Sequence, residues 1–547
     1  MQMTFKAAVA VMLISSSWCS VSYCYQLPED LIIIPEKTNY QQTSTHEDMM
    51  NFVNAIKAKS DLIHVETMAV SFENRELPLV VLADPKVTMP EDARRSGKPV
   101  IYLQGNIHGG EVEGKEALLL ILRDILLGDK RFLLSDQILL IAPIYNPDGN
   151  DKMSEDSRRS QEGSPKLAGS RRNGQGYDLN RDGVKMEALE TAGLIKNVVL
   201  KWDPELFVDL HTTNGSWHGY SMTYAPSYHS AGHPATSDYT MNTMLPEISK
   251  IVDQKYDLKM YLYGWYSLRN GWPPKIWRTY NHHPRYLVNQ FGFRNKMAIL
   301  SETFAHDRFY KRIQSAYAFA SEIIEYTNQH GREMARINRA AEEETVQYVL
   351  ENAGKVKKGV RFRMVPLDEK FTLRTYEYKP YVNDRGQTRF VRSGRIVEIP
   401  DVENHSRFEA EVESTLPRGY LFPAELGEIA EMLARHGAEV VKLDKAVAAG
   451  GEEFIVEKFD RSERQFEGHR LVRLSGTYSS ATRQFPAGSF KIDLAQPLAN
   501  LIFYLLEPES DDGLATWNFF DDYLIERNVE SEKVAFPVFK YFEMEDK

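Results

Sequence analysis

Pro99-Val-Ile-Tyr-Leu-Gln-Gly-Asn-Ile-His108-Gly-Gly-Glu111 is the stretch on which the fold turns. Val100–Leu103 is a short, wholly apolar run entered through a proline. It passes through Gln104 to end at Gly105, and an apolar-rich helix is predicted over Lys115–Leu127. An unbroken apolar run, rather than an alternating one, marks a strand covered on both faces. The unit recurs at Ile138–Ile144, Leu206–Leu210 and Met297–Leu300, with helical stretches between. Together these runs predict an α/β domain over about residues 46–335. In open α/β sheets, ligands collect outside the carboxyl ends of the strands. Polar residues at those ends are therefore the first candidates for a site.

Each strand delivers such residues. The first runs into His108-Gly-Gly-Glu111, where an imidazole and a carboxylate on a tight turn can face one cation of the zinc type. Alone, this spacing also fits a surface turn that opens a helix. The third runs into Asp209-Leu-His211-Thr212. His211 can complete a His₂Glu set with one position left for water, or be an ordinary hydrogen-bonded strand residue. Asp209 is a candidate acceptor behind a ligand.

The wider order of motifs carries more weight. His108-x-x-Glu111 is followed by Asn146-Pro-Asp-Gly149, Arg171-Arg-Asn173, Asp178-Leu-Asn-Arg181, the strand-end His211 and the strand-end Glu302. In this order the segment 46–335 resembles the zinc carboxypeptidase family, peptidase family M14. The resemblance implies a mixed central sheet flanked by helices and one zinc per chain, held by His108, Glu111 and His211. It implies that Glu302 is the catalytic general base and that Arg171 stabilises the oxyanion, with Arg172 the lesser candidate. Asn180 and Arg181 match the pair that grips the substrate's terminal carboxylate. Tyr280 stands at the family's spacing for the mobile active-site tyrosine, with Tyr286 the alternative. The ungapped count also puts Leu287 where digestive relatives select the substrate side chain, and Arg285 is a further substrate-side candidate. Asn180-Arg181-Asp182 departs from the family's frequent Asn-Arg-Asn; the acid either tempers the carboxylate site or points away. Asp151–Gly169 and His218–Tyr239 are long relative to compact digestive enzymes and are expected to narrow or cover the cleft.

Composition narrows the alternatives. The chain has 547 residues, 42% hydrophobic and 26% charged, which is a folded rather than a disordered profile. A formal net charge of −11 speaks against a nucleic-acid binder. The only cysteines are Cys19 and Cys24, so disulfide scaffolds and cysteine-built zinc fingers are excluded. Lys6, the apolar run Ala7–Ile14 and Ser15-Ser-Ser17 form an export signal over residues 1–22, with Ser20 and Ser22 suited to cleavage. The run is too short for a membrane span. Trp18 and Tyr23 precede the cysteines where a lipid anchor needs a small residue, which disfavours a lipoprotein. The mature protein is expected in the periplasm or outside the cell.

Gly354–Gly359, after a polar helix over 335–352, reads as a boundary. Residues 355–547 then read as a mixed α/β or β-rich accessory domain, with a helix over Pro423–His436 stopped by Gly437. His436 would lie at the helix end, where a cation is favoured. The leading function is an exported zinc metallocarboxypeptidase acting on peptides with a free C-terminus. An N-acyl amino-acid deacylase or peptidoglycan amidase is the alternative enzyme. A non-catalytic peptide-binding module is the alternative class.

Overall fold

The computed structural model describes residues 27–228, 230 and 232–545. Residues 1–22, read from the sequence as an export signal, and both cysteines lie outside the described residues. Nine strands belong to the first three hundred residues: β1 (Ile63–Val70), β2 (Glu76–Leu82), β3 (Val100–Gly105), β4 (Ile138–Ala142), β5 (Leu206–Thr212), β6 (Met222–Pro226), β7 (Met260–Leu262), β8 (Ile276–Arg278) and β9 (Met297–Thr303). Eight of them make one mixed sheet in the order β1-β2-β4-β3-β5-β9-β6-β7. The central strands β4, β3, β5 and β9 run parallel. Antiparallel β2 and β6 flank them. Three of the four apolar runs read from the sequence extend beyond their apolar part, and β5 and β9 continue through His211 and Glu302.

The apolarity of these runs, interrupted in β5 only by Asp209, has a direct cause. Ile101 and Leu103 of β3 join one apolar cluster with Met49 and Phe52 of the helix His46–Lys57, Leu118 and Leu122 of the helix Glu113–Leu126, and Phe319 and Ile323 of the helix Phe309–Asn352. Val100 and Tyr102 enter a second cluster on the opposite face. There Phe291 of the helix Leu287–Phe293 stacks on Phe207 of β5 at 4.4 Å, and Phe293 meets Tyr504 of the C-terminal region at 4.9 Å. The C-terminal region therefore shares a core with the sheet.

One helix runs from Phe309 to Asn352, where the sequence predicts a separate polar helix over 335–352. Its distal half reads as polar because only the stripe Met334, Asn338, Ala341, Thr345 and Val349 is buried.

The C-terminal region is β-rich. Strands β10 (Lys357–Pro366), β11 (Phe371–Val382) and β12 (Thr388–Thr415) form a sheet that β8 joins through β12. A second sheet holds β13 (Gly419–Phe422), β14 (Val441–Lys442), β15 (Val447–Arg461), β16 (Val472–Phe485), β17 (Phe490–Asp493), β18 (Val534–Ala535) and β19 (Phe539–Glu545). The predicted helix appears as a turn at Ala424–Leu426 and an α-helix Gly427–Arg435, closed by Gly437 in the left-handed region. His436 is not a solvated cation at the helix end. It is buried, its Nε2 faces the Val184 carbonyl at 3.0 Å, and burial with Arg294 lowers its pKa to about 3.

Candidate active site

The His108 turn is built by Asn106, whose φ of +63° is tolerated by asparagine. Its side-chain amide donates to the carbonyls of His108, Gly109 and Glu111. Gly109 has no room for a side chain, since a Cβ there would lie 2.2 Å from the carbonyl carbon of Gly149. Asn-Pro-Asp-Gly is thereby packed against His-Gly-Gly-Glu. Asn146 adds a tie, donating to the carbonyls of Ile107 (3.1 Å) and Arg171 (3.3 Å). The motif is thus a brace between the first turn and the arginine loop.

His108, Glu111 and His211 are buried, and their ligand atoms all lie within 4.8 Å of one another. Both imidazoles turn Nδ1 toward the Glu111 carboxylate, at 3.0 Å each. Both turn Nε2 to a second carboxylate, Asp178 behind His108 at 3.2 Å and Asp209 behind His211 at 2.8 Å. A carboxylate thus lies behind each imidazole as it does behind metal-binding histidines, hydrogen-bonded at His108 and close but misaligned at His211. His108 Nδ1 is misaligned for a hydrogen bond with Glu111 and is left buried without a partner. An inward-facing orphan nitrogen beside a second imidazole and a carboxylate fits a tetrahedral His₂Glu site for zinc. Burial alone would raise the Glu111 and Asp178 carboxyls; His108 overcomes it at both, with Arg158 helping at Glu111 and Arg171 at Asp178, and both end below the ordinary range.

A cleft of about 390 Å³ opens over this group. Glu302 lines it, with Oε2 unpartnered, and burial pushes its carboxyl up to about 8, with His211 pulling down and Glu111 pushing up. Arg171, Asn180, Arg181, Tyr280 and Tyr286 line the same cleft. Arg171 donates through Nε to Asp178 at 2.8 Å, whereas Arg172 turns away to Glu467. Asn180 accepts from the Leu287 amide, and the Arg181 guanidinium lies 4.5 Å from the Tyr286 ring centre. Tyr280 packs edge-on against Tyr286, its hydroxyl 3.4 Å from Asn289. Both tyrosines are therefore present.

Other candidates fall elsewhere. Asp182 is fully buried and accepts from the Glu187 and Ala188 amides and from Lys185, so it points away from the cleft. Arg285 pairs with buried Asp512. Leu287 is in the core, and its neighbour Val288 lines the cleft with Leu300, Tyr263 and Trp265. His218–Tyr239 supplies β6 rather than a lid. His218 sits in an aromatic cage with its pKa lowered to about 3 by burial, and His229 lies outside the described residues.

Sequence reasoning missed three contributors. Arg158, on the long segment Asp151–Gly169, donates to Glu111 (3.0 Å) and to the carbonyls of Thr212 and Thr213. Gly110 signals it, because a Cβ there would meet the Arg158 side chain at 2.9 Å. Gln104, the polar interruption in β3, donates to Asp209 (3.1 Å) and accepts from Tyr102. Glu467 had no local signal at all.

Residues 49–272 match the zinc carboxypeptidase family, Peptidase_M14. The match covers less than half of the chain and includes His108, Glu111 and His211, so this segment is similar to that family. The matched segment and the named relatives support a zinc metallocarboxypeptidase, a peptide hydrolase. Carboxypeptidase 2 of Trichophyton equinum is 22% identical over 485 residues, covering 86% of this chain and 83% of its own. Carboxypeptidase D of Homo sapiens is 33% identical over 91 residues, 16% of this chain and 7% of its own. Among solved structures, carboxypeptidase A of Helicoverpa armigera aligns with a TM-score of 0.39 at 14% identity, over 55% of this chain and 75% of its own. No helix among the described residues is long and apolar enough to cross a membrane.

Proposed function

We propose that the protein is an exported carboxypeptidase that releases single C-terminal residues from peptides, using one zinc per chain. In this reading residues 1–22 are the signal, 46–335 the catalytic domain and 355–547 an accessory domain. The observation that carries it is one cleft lined by His108, Glu111, His211, Glu302, Arg171, Asn180 and Arg181 together.

Zinc held by His108, Glu111 and His211 would supply Lewis acidity to the scissile carbonyl and lower the pKa of water at its open position. Arg181 presents a planar fork to the substrate's terminal carboxylate, with Asn180 beside it. That grip places the last peptide bond near Glu302. The unpartnered Glu302 oxygen accepts a proton from the attacking water and later returns it to the leaving amine. Arg171 donates to the oxygen on which negative charge develops. Tyr280 and Tyr286 form the wall over the bound residue. One water is consumed, and the products are the shortened peptide and a free amino acid.

The test compares blocked dipeptides with free and amidated C-termini, acyl-aspartate and muropeptides. Turnover only of free-acid dipeptides supports the reading. Turnover only of acyl or muropeptide substrates replaces it with a deacylase or amidase, and zinc binding without any turnover leaves a binding module. N-terminal sequencing of the mature protein tests cleavage after Ser22.

A further inference from the structure

We propose that Glu467, at the turn joining β15 to β16, is a positioning residue through which the C-terminal region orders the support of His108. The inference rests on the metal site proposed above.

Both Glu467 oxygens are engaged. Arg172 reaches them with Nη1 and Nη2, at 2.9 and 3.0 Å, in a forked pair. The Asp178 amide donates to Oε2 at 3.1 Å. The Glu467 side chain is 6% exposed while that of Arg172 is 51% exposed, so the carboxylate is the buried partner. The turn is held by reciprocal hydrogen bonds between Phe466 and His469, and Glu467 itself has a φ of +49°, a conformation a glutamate keeps only where its surroundings impose it. His469 anchors the turn to Glu187 at 2.9 Å, and the Phe466 ring lies 5.2 Å from the Arg285 guanidinium.

What Glu467 holds is the centre of the site's support. Asp178 gives one oxygen to His108 Nε2 and the other to Arg171 Nε. The adjacent cations Arg171 and Arg172 lie on one loop, and Glu467 engages the second of them. Without its charge, Arg172 is a competitor for Asp178, and both His108 and Arg171 lose a fixed partner. Burial and hydrophobic packing alone do not require a forked, charged contact at this place, since any turn residue would cover the surface.

The full-length chain tests this through the isosteric Glu467→Gln, which still accepts from the Asp178 amide, and through Glu467→Gln combined with Arg172→Gln, which removes the stranded cation. Zinc affinity is read by chelator competition, independently of activity, alongside kcat, KM and the thermal midpoint of the zinc-free protein. Glu467→Gln is expected to weaken zinc binding by about 3-fold, less than the roughly 10-fold loss of a group bonded directly to a ligand. It should lower kcat more than it raises KM, leave the zinc-free midpoint little changed, and be largely rescued in the double variant. Wild-type zinc affinity and kcat in Glu467→Gln would overturn the role of Glu467, as would a double variant no better than the single one. A parallel fall in midpoint and in all other readouts would make the residue structural only. A wild-type chain that binds no zinc would overturn the metal site itself, a result distinct from all of these.

Discussion

His211 and Glu302 are register partners on adjacent parallel strands, β5 and β9, and therefore project on the same face of the sheet. Thr212 and Thr303 follow in register, their hydroxyls 2.8 Å apart, which pins the two strand ends together. A ligand-type histidine and a carboxylate with a free oxygen are thus fixed by backbone pairing rather than by loops. Glu302→Gln should accordingly keep zinc and fold while losing on the order of 10³-fold in kcat, the scale of a general base. Metal analysis and steady-state kinetics on the same sample check both halves. Hydrolysis that survives the change would remove Glu302 from the chemistry.

Loss of a first ligand and loss of its support should differ in size. His108→Ala removes one of the three proposed ligands and is expected to abolish stoichiometric zinc. Asp178→Asn keeps the shape behind His108 but loses its charge, and should weaken zinc 10–100-fold. Zinc titration by chelator competition, with circular dichroism to confirm folding, separates the two.

In the proposed grip, Arg181 sets the demand for a free carboxylate. Arg181→Met should raise KM for free-acid peptides by about 10–100-fold, the worth of a lost charge-assisted hydrogen bond. Amidated peptides, poor substrates to begin with, should be little affected. The ratio of kcat/KM for acid over amide is the measurement, and an unchanged ratio would place the carboxylate elsewhere.

Gly110→Ala probes the long segment beside the cleft. The new Cβ would lie 2.6 Å from the Gly169 carbonyl oxygen and 2.9 Å from Arg158 Cγ, so Arg158 must leave Glu111 or the segment must shift. Activity should fall more than 10-fold, with protease sensitivity increased within 151–169. Limited proteolysis with mass spectrometry reads the second effect.

Glu190 supplies a pH dependence away from the metal. Burial raises its pKa to about 7, one oxygen is bonded by Asn173 and the other has no partner. A folded pKa above the unfolded value means that the unfolded chain releases this proton first. The contribution to stability is present below the unfolded carboxyl pKa and is lost as pH rises through about 7. Glu190→Gln should therefore stabilise the protein at pH 8 by on the order of 3 kcal/mol and change little at pH 4. Denaturant midpoints at the two pH values decide it; equal shifts would show that Glu190 does not titrate in the fold.

Much of the cleft was legible because the chemistry sits where apolar strands end. His108, His211 and Glu302 each follow an apolar run, and a buried sheet leaves its strand ends as the place where polar side chains can gather. Arg158 was not legible: it lies in a polar segment with no period, and its partners, Glu111 and the Thr212 and Thr213 carbonyls, are remote in sequence. Leu287 does not reach the cleft because the helix starting there turns its side chain into the core, while Val288 lines the cleft. His436 failed for another reason. A helix-end histidine is read as exposed, and only tertiary packing against Val184 and Arg294 makes it neutral.

The shared core gives the molecule an order of completion. One face of the central sheet is covered by helices that end at Asn352, but the other is insulated through Phe291 and Phe293 by residues such as Tyr504 and Trp517, near the far end of the chain. The strand that leads to His108 and the strands that carry His211 and Glu302 precede in the chain the residues that complete this second cluster. Until residues such as Tyr504 and Trp517 are made, the helix Leu287–Phe293 covers the sheet but lacks its own outer apolar cover.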